Sequence, residues 1–210
     1  MSLLSKLFAF VILTIKQYSI DESHGIKHSM DVLNFASNIY NNEINNYSTL
    51  KKYENVIYIA AILHDMCDKK YMDENEGIKN IEEFLKLKIN SNDINIVKNI
   101  VTTMSYSKVK KVGFPKFEEY QMAYHVVREA DLLSAYDFDR CMIYNLNKSD
   151  GDIVSAYNDA EKLFNTRVLR HFDDDLFITS YSKIEGLKLH SNALNRMNTW
   201  QKILKNPLLI

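Results

Sequence analysis

The segment NVIYIAAILHDM, residues 55–66, is apolar at almost every position until it reaches an adjacent histidine and aspartate, His64 and Asp65. A helix that is apolar on all sides is buried on all sides, so the segment predicts a central helix surrounded by others. Imidazole nitrogens and carboxylate oxygens bind Mn, Fe, Zn or Mg ions. Adjacent side chains project about 100° apart along a helix, but where a helix ends the backbone can turn enough for both to reach one ion. His64 and Asp65 are therefore predicted to supply part of a metal site.

The rest of the chain also favours helices. Only 5 Gly and 2 Pro interrupt its 210 residues, which is typical of long helices rather than many short strands. Apolar residues at helical spacing predict helices at about His24–Tyr40, Lys52–Met66, Glu76–Leu87, Asp93–Ser105, Phe117–Asp139, Asp152–Asn165 and Ile178–Leu204. No linker, repeat or break in composition divides the chain, so we expect one compact all-α domain over residues 1–210.

The apolar segment LFAFVILTI, Leu7–Ile15, is too short to span a membrane, which requires roughly 20 apolar residues. Lys16 and Gln17 follow it where a signal peptide would have small residues, so we predict a buried first helix instead of a targeting segment. Cys67 and Cys141 are the only cysteines, too few for a disulfide framework or a cysteine-built zinc site. These features predict a cytoplasmic, reducing setting and no membrane partner.

The overall composition is that of an ordinary globular protein, with 46% hydrophobic and 25% charged residues. The formal net charge is -1, so no global basic field favours nucleic acid as a partner. A nucleic-acid partner is therefore not expected.

Two more residues are candidate ligands because each would be buried among apolar neighbours. His28 lies on one helical line with Val32, Phe35 and Ile39. A core histidine bonded to a backbone carbonyl is the alternative interpretation. Asp131, within the helical segment READLL, would be costly to bury without a partner. A salt bridge to Arg128 or Arg140 is the alternative there, whereas metal ligation would resolve the burial of both side chains at once.

Four ordered motifs together resemble those of a known family. They are HGIKHSMDV (residues 24–32), LHDMCDKKY (63–71), VTTMSYSK (101–108) and READLL (128–133). A histidine, an adjacent His-Asp pair and a distant aspartate are the signature of the HD superfamily of metal-dependent phosphohydrolases. The chain is most similar to a small bacterial-type group with the patterns S-H-D-x-x-H-x-x-R-V, L-H-D-x-x-D-x-K, I-S-[FY] and D-A-D-x-L. The resemblance covers roughly residues 10–140, leaving helices 145–210 to complete an HD-domain bundle.

The resemblance implies a ligand set and an activity. The ligands of one divalent ion (Mn, Mg, Fe, Co, Ni or Zn) would be His28, His64, Asp65 and Asp131. Asp68 and Lys70 match the D-x-K that follows the pair. The implied activity is hydrolysis of a phosphoester or phosphoanhydride bond in a small phosphorylated molecule. The expected substrate is a nucleotide, and the enzyme a nucleoside triphosphate pyrophosphohydrolase or a nucleotidase.

The residues after the His-Asp pair suit this chemistry. We predict that Asp68 is catalytic and orients or deprotonates water, although it could equally cap the next segment. Lys70 is predicted to bind substrate phosphate as a point charge. The loop SYSKVKKVGFPKFEE (residues 105–119) borders the pocket in the resembled family, and its lysines could attract a polyphosphate or simply face solvent.

Other polar residues are assigned lesser roles, and two positions depart from the family pattern. His24 lies four residues before His28 and is predicted to support that ligand. His125 is interpreted as structural, and the run Asp173–Asp175 as a helix N-terminal cap. The family arginine is replaced by Asp31, and the aspartate after the first histidine by Gly25, so substrate binding or ligand orientation could differ.

These departures keep two other functions open. One is a non-catalytic metal- or nucleotide-binding regulatory module, and the other a phosphodiesterase on cyclic nucleotides or oligonucleotides. The C-terminal third has helical periodicity without a recognisable motif. It could complete the pocket, cover the core or form a homodimer surface.

Overall fold

The computed structural model describes residues 1–206, and within that range it contains helices and no β-strand, which confirms the predicted all-α fold. The α-helices are α1 (Leu3–Tyr18), α2 (Ile26–Glu43), α3 (Glu54–Leu63), α4 (Glu74–Leu85), α5 (Ser91–Thr103), α6 (Tyr106–Val112), α7 (Gln121–Ser134), α8 (Phe138–Lys148), α9 (Ile153–Thr166) and α10 (Ser180–Leu204). Short 3₁₀ turns occupy Glu22–His24, Ser48–Tyr53, Glu118–Tyr120 and Val168–Arg170.

Helix α3 is central, as its sequence predicts. It packs against α1, α2, α5 and α7, and its residues from Ile59 to Leu63 are all buried. Around it, α2 packs along α7, while α10 contacts both of them. One buried hydrophobic cluster extends from Leu7 in α1 to Met197 in α10. Helices α2, α3 and α7 therefore form the inner layer on which the candidate site is built.

The first helix is buried on one face only. Leu7, Val11 and Thr14 of α1 are buried, whereas Leu13 is 65% exposed. The prediction of a buried first helix is thus correct for one face of it. Across residues 1–206, no helix combines the length and the apolarity needed to cross a bilayer.

The predicted helix Phe117–Asp139 is wrong, because two helices occupy this region. Helix α7 ends at Ser134, and α8 begins at Phe138 after a short break. Asp137 is the N-cap of α8 and accepts a hydrogen bond from the backbone N–H of Arg140 at 3.1 Å. An aspartate that caps a new helix competes with continuation of the old one.

The lysine-rich segment is also more ordered than a loop. Its residues Tyr106–Val112 form α6, which ends at Gly113 with a φ of 78°. Glycine adopts such a conformation without strain, so Gly113 stops the helix. The helix predicted to begin at His24 begins instead at Ile26, because Gly25 separates the 3₁₀ turn Glu22–His24 from α2.

Candidate metal centre

The four predicted ligands come from three neighbouring helices. His28 lies in the first turn of α2, and Asp131 lies in α7. Helix α3 ends at Leu63, and the chain then turns, with the Asp68 N–H donating to the Asp65 carbonyl at 3.1 Å. The His-Asp pair thus follows directly on the end of the helix, as the sequence predicts, and both of its side chains face the same point.

The ligand atoms converge closely. His28 Nε2 lies 3.0 Å from His64 Nε2, 3.2 Å from Asp65 Oδ2 and 3.5 Å from Asp131 Oδ1. His64 Nε2 lies 3.3 Å from Asp65 Oδ2 and 3.7 Å from Asp131 Oδ1. His28, His64 and Asp65 form a cluster that could hold a metal ion. Asp131 Oδ1 faces the same two imidazole nitrogens.

The hydrogen bonds made by the Nδ1 atoms of the two histidines leave the Nε2 atom of each ring facing the cluster. His64 Nδ1 lies 2.9 Å from the Ala61 carbonyl, which can only accept, so Nδ1 bears the proton. His28 Nδ1 lies 3.4 Å from Ser134 Oγ, which donates its own proton to the Asp131 carbonyl at 2.8 Å. When a ring is neutral, its Nε2 atom is therefore left with a lone pair for a ligand. Such outer hydrogen bonds are typical of metal-binding histidines.

Two alternative interpretations are wrong within residues 1–206: a bond from His28 to a backbone carbonyl, and a salt bridge from Asp131 to an arginine. The Nδ1 of His28 meets a hydroxyl instead of a backbone carbonyl. Arg128 is paired with Glu129 at 3.0 Å, and Arg140 donates to the Ser23 carbonyl at 2.9 Å, so neither forms an ion pair with Asp131.

The charges of the cluster suit a cation. Burial by itself raises the pKa of both Asp65 and Asp131, but the facing histidines outweigh it and hold both pKa values below the usual range. Burial lowers the pKa of His64, while the two carboxylates outweigh that effect and raise it to about 9. Asp65 Oδ2 is buried and accepts no hydrogen bond. A buried carboxylate oxygen that faces the Nε2 atoms of two imidazoles fits a divalent cation, which would take the place of the imidazole proton.

The cluster opens into two adjoining clefts. One is a cavity of about 180 Å³ lined by His28, Asp65 and Asp131 together with residues of the 3₁₀ turn Glu22–His24, α8 and α9. The other, of about 150 Å³, extends toward α5 and α6. Both clefts include Asp65, Asp68, Lys70, Ser105, Asp131 and Arg167 in their walls. A small molecule in either cleft would contact the cluster.

Asp68 and Lys70 both line these clefts. Asp68 Oδ1 accepts a hydrogen bond from the Lys70 backbone N–H at 2.9 Å, while its Oδ2 lies 4.0 Å from Lys70 Nζ. Asp68 therefore caps its own turn, whereas Asp73 caps α4 by accepting from the Glu76 N–H at 3.0 Å. One carboxylate oxygen of Asp68 remains available to a ligand, and its catalytic role stays a prediction.

His24 is not on the helix that contains His28. It lies in the preceding 3₁₀ turn, its ring edge-on to that of His28 with centroids 6.1 Å apart. Burial lowers the pKa of His24 to about 4, so its neutral Nε2 can accept a hydrogen bond from Lys70 Nζ at 3.2 Å. His24 thus contacts the predicted substrate-binding lysine as well as the ring of His28, and its supporting role stays a prediction. His125 contacts Gln121 and Arg128 and stays outside both clefts, which fits a structural role.

The lysine segment contributes unevenly. Lys108 lines the second cleft and is paired with Glu74, whereas Lys110 lies 2.7 Å from Asp174.

The capping role predicted for Asp173–Asp175 is wrong, because the N-cap of α10 is Thr179, which accepts from the Ser182 N–H at 3.3 Å. Asp174 instead ties α6 to the segment before α10.

Among the residues that line the first cleft and were not identified as site residues from the sequence are Arg140, Tyr144, Arg167 and His171. They belong to α8 and to the segment after α9, beyond or at the edge of the family motifs. Asp31, at the position of the family arginine, pairs with Lys27 at 2.6 Å and does not line either cleft. The guanidinium groups beside the cluster therefore come from the C-terminal part of the chain.

Comparisons with protein-family models, with curated proteins and with solved structures give no match to this chain. Membership of the HD superfamily therefore stays a prediction from the motifs. The converging side chains and the clefts beside them are the features from which a function can be inferred.

Proposed function

We propose that this protein is an HD-type metal-dependent phosphohydrolase that cleaves a phosphoester or phosphoanhydride bond in a small nucleotide. The observation that most supports the proposal is the convergence of two imidazole nitrogens and two carboxylates beside a cleft that is also lined by Lys70, Arg140 and Arg167. Neither a core histidine nor a surface ion pair needs such an arrangement. The four motifs and their order add a resemblance to the HD superfamily.

His28, His64, Asp65 and Asp131 would hold one divalent ion. Mixed imidazole and carboxylate ligands accept Mn, Mg, Fe, Co, Ni or Zn. The bound ion would lower the pKa of water and polarise a phosphoryl oxygen. Two neutral imidazoles and two carboxylates balance the charge of the ion, and the flanking clefts leave room for substrate.

The remaining residues would position water and phosphate. Asp68, with one oxygen free of the turn that it caps, would accept a proton from the attacking water. Lys70, held by the neutral His24, would neutralise charge on the phosphoryl oxygens. The small cavity volume favours a mononucleoside phosphate over an oligonucleotide.

The test is a metal-dependent hydrolysis assay on purified full-length protein. Metal is removed with chelator, Mn, Mg, Co or Ni is added, and release of phosphate and pyrophosphate is measured over a nucleotide panel. We expect turnover that is lost in His64→Ala and Asp65→Ala and kept in Asp173→Ala, whose carboxylate is exposed and outside the clefts. Metal and nucleotide binding without turnover would favour a regulatory binding module instead.

A further inference from the structure

The cavity beside the cluster has two arginines that lack counter-ions. The Arg167 side chain makes no hydrogen bond or ion pair with any residue in 1–206, and its Cζ lies 4.5 Å from the centroid of the Tyr106 ring. Arg140 donates to the Ser23 carbonyl at 2.9 Å through one nitrogen and has no carboxylate partner in the same range. Both are partly buried and line the same cavity.

A partly buried guanidinium without an anion is unusual in a folded protein. Buried arginines generally pair with carboxylates, because the charge is costly to remove from water. Asp137, which lines the same cavity, caps α8 and lies 3.7 Å from Lys27, and Asp68 caps its own turn and lies 4.0 Å from Lys70 Nζ. Asp65 and Asp131 face the two histidines. The two guanidiniums are thus left to bind an anion from solution.

A third polar group on this wall has no hydrogen-bond partner among the described residues. His171 is fully buried and lines the cavity four residues after Arg167, yet neither of its ring nitrogens has a hydrogen-bond partner. Buried imidazole nitrogens are nearly always hydrogen-bonded, so an imidazole without partners is unusual beside this cavity. Its ring packs against those of Tyr106, Tyr136 and Phe177.

We propose that Arg140, Arg167 and His171 form an anion subsite that binds a second phosphate group of the substrate while another lies at the metal cluster. This inference rests on the proposed function and narrows it to substrates with a chain of at least two phosphates. Guanidinium groups bind phosphate oxygens in a fork, and the His171 ring lies on the same wall. The subsite comes entirely from α8 and the segment after α9, which gives the C-terminal third a direct part in substrate binding.

The experiment is a calorimetric titration of the full chain with inorganic tripolyphosphate in excess chelator, so that no metal and no turnover contribute. We expect binding by the unmodified protein and a loss of at least about tenfold in affinity in Arg167→Gln, since a charge-assisted contact is removed. Arg140→Gln should weaken binding similarly. The matched control is Arg170→Gln, which removes the same charge from an exposed position three residues away and should change affinity by less than about twofold.

Three outcomes would overturn the subsite: no binding by the unmodified protein, unchanged affinity in both Arg167→Gln and Arg140→Gln, or an equal loss in Arg170→Gln. Nucleotide turnover together with unchanged tripolyphosphate binding in both variants would remove the subsite and leave the proposed function intact. Arginine-dependent tripolyphosphate binding without turnover on any nucleotide would support the subsite and refute the hydrolase.

Discussion

Two imidazole protons determine whether the histidines of the cluster can bind a cation. Ala61 and Ser134 each face the Nδ1 of one ring, and they leave both Nε2 atoms directed at Asp65 and Asp131. Ser134 also donates to the Asp131 carbonyl and so links two ligands through one hydroxyl. Ligand geometry at this site thus depends on residues that would not themselves touch the ion.

Replacing Ser134 by alanine should weaken metal binding. The His28 ring would lose the acceptor that fixes its tautomer, and loss of such outer contacts typically costs about 10–100-fold in metal affinity. Ser29→Ala is the matched control, because its hydroxyl is also buried but has no hydrogen-bond partner. Mn²⁺ titration by calorimetry measures both. Equal affinities for Ser134→Ala and Ser29→Ala would contradict the role given to Ser134.

Metal affinity should rise with pH. The pKa of His64 is raised to about 9 in the metal-free cluster, so at neutral pH the ring is protonated and must lose that proton to bind an ion. Below this pKa, each pH unit upward should increase apparent affinity about tenfold, between about pH 6 and 8. Calorimetry in buffers of different ionisation heats should show about one proton released per ion. A pH-independent affinity with no proton release would contradict this coupling.

The four converging side chains could be predicted as candidate ligands from the sequence because each is a histidine or aspartate in an apolar helical context. Ser134 could not, since a hydroxyl on a buried helix has many other uses. Arg167 and His171 could not either, because only the packing of α9 against α8 brings them to the cavity. The local sequence pattern therefore indicates which residues could bind a metal. Which residues line the cavity depends on contacts between segments far apart in the sequence.

At the level of elements, Glu129 joins α7 to the start of α10. It is fully buried, pairs with Arg128, and accepts from the backbone N–H groups of Ile178 and Thr179 at 2.8 and 3.1 Å. The Thr179 hydroxyl donates to it as well, at 2.7 Å. Because Asp131 lies two residues along α7, this carboxylate anchors the same helix that supplies a ligand.

Replacing Glu129 by glutamine should destabilise the protein by about 3–5 kcal/mol, because the buried Arg128 loses its only charged partner in residues 1–206. Urea unfolding followed by circular dichroism measures the free energy. Glu185→Gln, in the exposed pair with Lys188, is the control and should cost less than about 0.5 kcal/mol. Similar losses in the two variants would show that Arg128 and Glu129 are not a buried pair.

The boundaries of elements can be predicted where capping agrees with apolar spacing, and not where the two disagree. Helix α10 ends at Leu204 as expected, whereas apolar spacing alone extends the α7 helix to Asp139, past its end at Ser134 and into the start of α8. That spacing continues across residues 134–138, while the capping contact of Asp137 starts a new helix there. A single side-chain hydrogen bond thus outweighs a continuous hydrophobic pattern.

For the whole molecule, the cluster lies where three inner helices meet. Low glycine and proline content sufficed to predict the all-α class, since a chain with few turn-forming residues favours long helices over many short strands. The arrangement of α8, α9 and α10 around the cavity was not predictable, because it depends on contacts between residues far apart in sequence. The single-domain and homodimer assignments stay predictions.

A bound ion should stabilise the whole fold. An ion that binds only the folded state raises the free energy of unfolding by about 2.7 kcal/mol when its free concentration is 100 times Kd. For a chain of this size that corresponds to a Tm increase of roughly 5–10 °C. Thermal melts of chelator-treated protein with and without Mn²⁺ measure the shift. The increase should disappear in His64→Ala, and an equal increase in that variant would place the binding elsewhere.

The most direct test of the central claim is anomalous X-ray diffraction from a crystal grown with Mn²⁺. We expect one strong anomalous peak within about 2.0–2.3 Å of His28 Nε2, His64 Nε2 and one oxygen each of Asp65 and Asp131. A fully occupied Mn²⁺ peak elsewhere in the molecule, with the four side chains unliganded, would contradict the four-ligand site.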